Sequence, residues 1–96
     1  MGSEETGTIH FAKYETSERL QIVLALMLDG QQRTTMEIIR GSGMVAISSA
    51  ACELRANGFR MECVKRTSPA IYQLFDVEEA RALSERLLTR RAVVNG

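Results

Sequence analysis

The sequence predicts a single α+β domain: three helices, then a β-hairpin, then a fourth helix. Three observations carry this expectation. Apolar residues recur at helical spacing ahead of Gly30 and again over residues 44–57. Two runs of alternating polarity flank a short polar turn at residues 65–69. Helical spacing then returns after Asp76. Ninety-six residues can enclose one core but not two. With aromatics at 5%, that core must be mainly aliphatic.

The elements follow in order. Residues 1–15 (MGSEETGTIHFAKYE) hold no sustained period and read as a flexible tail, with Ile9–Tyr14 as the piece able to pack on the domain or a partner. Thr16 and Ser17 are N-cap candidates for the run ERLQIVLALMLDG, since their hydroxyls can accept from the free amides that open a helix. Leu20, Val23, Leu24, Met27 and Leu28 share one face of this helix, but Ile22 and Leu26 lie opposite. A helix apolar on most sides needs cover on most sides. Gln31–Arg33 reads as a link or one-rung strand, and Thr34-x-x-Glu37 as a capping box that opens a short helix over Thr35–Arg40. Gly41-Ser42-Gly43 ends it, and a third helix is expected over residues 44–57. Its stripe of Met44, Ile47, Ala51 and Leu54 turns inward, which sends Val45, Ala46, Ser48, Ser49 and Cys52 outward. Residues 59–65 and 70–75 alternate about the polar turn and make the hairpin. Asp76-x-x-Glu79 resembles a second capping box, opening a helix to about residue 91 with Val77, Ala80, Leu83, Leu87 and Leu88 on one side. This closing helix, residues 76–96, is the expected cover for the first helix, within one chain or across a twofold axis.

Three helices followed by a two-stranded hairpin is the winged helix-turn-helix arrangement, here over residues 16–75. Within it, Glu53-Leu54-Arg55-Ala56-Asn57-Gly58-Phe59 stands between the third helix and the hairpin, preceded by Thr34-Thr35-Met36-Glu37-Ile38 and by Gly43-Met44. By these residues the chain resembles the small winged helix-turn-helix domain common in phage and prophage proteins. The resemblance implies DNA binding in a bacterial host cytoplasm. One departure stands out: members often carry arginine three residues before the glutamate of the motif, and this chain has Ala50.

The charge pattern leaves two uses open. Twelve basic residues balance twelve acidic ones, whereas dedicated nucleic-acid binders are usually basic. Residues 33–66, however, hold six cations against three carboxylates. Lys65 and Arg66 sit at the expected wing tip, and Arg33, Thr35 and Arg40 belong to the second helix and its flanks. Phosphate contacts use such cations and position a protein without reading sequence. The outward five of the third helix include no arginine, lysine, asparagine or glutamine, the strong readers of base edges. Arg55 is expected to pair with a carboxylate or cap the third helix. The first expectation is thus a DNA-binding regulator that places residues 44–57 in the major groove and residues 65–69 on the backbone, acting as a homodimer through the closing helix. The rival is a winged-helix interaction module, such as a phage inhibitor of a host protein.

Other classes are disfavoured. Nothing resembles a catalytic triad, a spaced carboxylate pair or a phosphate-binding glycine loop, and no cofactor is expected. Cys52, Cys63 and His10 lack metal-ligand spacing, so the cysteines read as reduced thiols. Ile22–Leu28 is about a third of a membrane span, and the acidic start does not resemble a secretory signal.

Overall fold

The structure, a computed structural model, describes residues 12–95, with side chains through residue 90. Among these residues it is an α+β fold of four α-helices and one three-stranded antiparallel sheet. The tail expected over residues 1–15 is ordered from residue 12, and Tyr14 lies in the piece expected to be able to pack on the domain. Tyr14–Thr16 form a 3-10 turn, and Tyr14 is buried with its ring 4.8 Å from that of Phe59. Residues 12–15 therefore belong to the packed domain, while residues 1–11 lie outside the described part.

Helix α1 spans Glu18–Met27, capped by Ser17, whose hydroxyl accepts from the Leu20 amide. Leu20, Val23, Leu24 and Met27 are fully buried and form the centre of the core. Strand β1, Arg33–Thr34, adds a third rung outside the hairpin, antiparallel to β3, Ile71–Phe75. It lies one residue beyond the expected link. Helix α2, Thr35–Ser42, opens with the expected capping box: Glu37 N–H donates to the Thr34 hydroxyl, and Thr34 N–H donates to the Glu37 carboxylate. The helix runs through Gly41 and Ser42 and stops only at Gly43, whose φ of 76° is left-handed.

Helix α3 spans Ile47–Ala56 and so begins three residues later than expected. Met44, Val45 and Ala46 form the approach to it. Ala46 occupies the N-cap position and has no side-chain oxygen to accept an amide. Strand β2, Arg60–Lys65, pairs with β3 in a hairpin, with a bulge that leaves Val64 between the Cys63–Tyr72 and Lys65–Ile71 pairs. Met61, Tyr72 and Leu74 face the core.

Helix α4 spans Val77–Asn95. The expected capping box at Asp76 does not have N-cap geometry, because Asp76 has a left-handed φ of 55° and its carboxylate accepts from Arg60 at 2.9 Å. The cover expected from α4 is also redirected. It packs chiefly on the 3-10 turn, where the Tyr14 and Ser84 hydroxyls lie 2.9 Å apart. Helix α1 is enclosed instead by α2, α3 and that turn, leaving Ile22 at the surface.

Candidate functional site

The exposed side of α3 is the first part of the site. Ile47, Ala50, Ala51 and Leu54 are buried, whereas Val45, Ala46, Ser48, Ser49 and Cys52 are exposed, Val45 by 78%. All five residues expected to face outward do so, although Val45 and Ala46 precede the helix rather than ride on it. Ala50 corrects the reading of the family departure. At 1% exposure it is a core residue, so its place on this helix cannot present a cation to DNA without repacking. Paired small residues, Ala50 and Ala51, let α3 lie close to its neighbours.

A groove of about 530 Å³ runs between α3 and the hairpin. Ser48 and Arg55 line it from the helix; Glu62, Cys63, Arg66 and Thr67 line it from the hairpin; Tyr72 is at its base. Arg55 was expected to pair with a carboxylate or cap α3, but among the described residues it forms no ion pair and its hydrogen bond goes elsewhere. Its Nη1 donates to the Met61 carbonyl at 2.9 Å, which ties the helix to β2. Burial, and secondarily the nearby Cys63, raise the proton affinity of Tyr72. Arg55 and Arg66 oppose this, which places both guanidinium groups within electrostatic reach of one phenol.

The remaining cations divide. Arg33 is bonded to the carboxylate of Asp29, four residues earlier, and is not a free phosphate ligand. The Gln31 amide is the main cause of the lowered Asp29 carboxyl pKa, burial works against it, and Arg33 adds to the lowering. Thr35 is likewise committed, its hydroxyl donating to the Ala70 carbonyl at 3.2 Å and joining α2 to the hairpin. Arg40 is exposed in the last turn of α2, away from the groove lining. Lys65 and Arg66 are exposed at the hairpin tip. None of Arg40, Lys65 and Arg66 forms a salt bridge among the described residues.

Two residues that sequence reasoning passed over organise the opposite end of α3. The Asn57 side chain accepts from the Tyr14 amide at 3.0 Å and donates to the carbonyls of Ala12 and Glu53. Glu53 accepts from Arg19 at 2.6 Å and from the Ala12 amide at 3.4 Å. Residues 12–16 combine a short local turn, closed by the Thr16 and Ser17 amides, with these distant contacts, and no sustained period announces them. Glu62 contributes to the groove lining from β2, while its carboxylate lies 4.0 Å from Arg60.

Among the described residues, no cluster of His, Cys, Asp and Glu could hold a metal ion, and no helix is long and apolar enough to cross a membrane. No family model, curated protein sequence or solved structure matches the chain. The functional reading therefore rests on the geometry above.

Proposed function

We propose that this chain is a winged helix-turn-helix protein that binds double-stranded DNA, a phage or prophage transcriptional regulator acting as a homodimer. In this reading α3 enters the major groove, the hairpin is the wing, and its tip lies on the sugar-phosphate backbone. The observation that carries it is the exposed set Val45, Ala46, Ser48, Ser49 and Cys52, of which Ser48 lines a groove that Arg66 lines from the hairpin, a cation with no salt bridge among the described residues. Small side chains allow close approach of the helix to base edges. Val45 and Ala46 can touch thymine methyl groups and the serines can bond to several bases, so discrimination per protomer is modest. Two copies would add phosphate contacts and double the reading surface. Leu88, 37% exposed on α4, supports that helix as the contact between them.

The second reading is docking of a host protein on the same row. It is favoured by the lack of any arginine, lysine, asparagine or glutamine in that exposed set. Fluorescence anisotropy on a random duplex separates the two. A protomer engaging three phosphates through Arg40, Lys65 and Arg66 gives a log K against log salt slope of about −3. No binding at the lowest salt eliminates the DNA reading and leaves protein docking.

A further inference from the structure

We infer that the groove between α3 and the hairpin is a binding site for a small phosphate monoester bearing hydroxyl groups, with the polarity of a sugar phosphate. Its volume, about 530 Å³, lies in the range of small-ligand sites and exceeds what a lone phosphate fills. The lining divides into donors and acceptors. Arg55 is held by Nη1 on the Met61 carbonyl, so its plane is preset while the Nε–Nη2 edge has no protein partner among the described residues. Arg66 lines the same space and forms no salt bridge there. Two guanidinium groups sharing one groove repel each other, and a group carrying close to two negative charges relieves that repulsion while matching the planar donor fork. Ser48 adds a hydroxyl from the helix side.

An acceptor distinguishes a sugar phosphate from a bare anion. Glu62 contributes to the same lining, but it alternates with Met61 and Cys63 along β2 and its carboxylate pairs with Arg60 at 4.0 Å, so it is not the groove's acceptor. The Thr67 hydroxyl gives its proton to the Pro69 carbonyl at 2.8 Å and so keeps lone pairs to offer. A pre-committed hydroxyl adds nothing to the binding of phosphate alone, but it is a good partner for the hydroxyls of an attached polyol. The site goes beyond duplex binding and does not require it, because it is a property of the DNA-free protein.

Calorimetric titration of that protein with ribose 5-phosphate, inorganic phosphate and ribose tests the site. Ribose 5-phosphate should bind saturably and about tenfold more tightly than phosphate, through the hydrogen bonds of its hydroxyls, with no detectable heat from ribose. Arg66→Gln, an exposed tip substitution, should weaken the sugar phosphate by about tenfold through loss of one charged hydrogen bond. Thr67→Val should erase the preference over inorganic phosphate. Absence of ribose 5-phosphate binding, or binding unchanged by Arg66→Gln, overturns the site; equal affinity for phosphate and the sugar phosphate overturns its hydroxyl specificity. Thermal melts of both variants confirm that each is folded.

Discussion

The two halves of α3 do opposite work. From Val45 to Ser49 one buried anchor, Ile47, is flanked by exposed side chains, and Lys65 and Arg66 at the hairpin tip form no salt bridge among the described residues. From Glu53 to Gly58 nearly every residue is occupied: Glu53 holds Arg19 and Ala12, Leu54 fills the core, Arg55 grips β2, and Asn57 fastens the 3-10 turn. The difference shows that the Glu-Leu-Arg-x-x-Gly motif is architecture. On the proposed DNA reading, base contact falls to the other end of the helix, where the sequence is least distinctive.

Substitutions in the two halves should separate stability from binding. The largest effect is expected from Tyr14→Ala, which removes a buried ring stacked near Phe59 and the hydroxyl contact to Ser84. A loss of about 3–5 kcal/mol in chemical denaturation is expected, with duplex affinity preserved wherever the variant is folded. Next, Lys65→Glu with Arg66→Glu should lower duplex affinity at least about 100-fold while shifting stability by less than about 0.5 kcal/mol. Unchanged anisotropy would move recognition away from the hairpin tip. Asn57→Ala deletes three hydrogen bonds around the turn and should cost about 2 kcal/mol, again without loss of binding in the folded fraction.

The smallest effect concerns Asp29, whose folded pKa is depressed. Its contribution is present above the unfolded carboxyl pKa and disappears as the pH falls through the folded one. Asp29→Asn should therefore lower the melting temperature slightly near pH 7 and leave it unchanged near pH 2. Because the substitution releases Arg33, a rise in duplex affinity would show that this arginine can join the interface once freed.

The order and type of the elements were legible because each helix and strand carries its own period and most carry a turn or cap signal. Ser17, the Thr34–Glu37 box and Gly43 act on neighbours within four residues, so sequence spacing reveals them. The misread features depend on distant partners. Tyr14 is ordered by Phe59 and Ser84, Thr35 is drawn to Ala70, and Asp76 is drawn to Arg60. The stripe counted from Met44 leaves Ala50 out of the inward set, whereas close packing buries it beside Ala51. Of the candidate site, the outward row was readable from periodicity. The commitment of Arg33 was also there to be read, in its four-residue spacing from Asp29. The enclosure of Arg55, Glu62 and Arg66 in one groove was not, since it depends on how the hairpin leans on α3.

Gly58 sits where the chain leaves α3 for β2, at a φ of 103°, and a methyl group on its α-carbon would come within 2.9 Å of Leu83 on α4. The closing helix thus bears on the pivot from which the hairpin departs, with no side chain to cushion the contact. A side chain at position 58 would have to displace Leu83 and also hold a left-handed backbone, so the hairpin's departure from α3 admits glycine on two separate grounds.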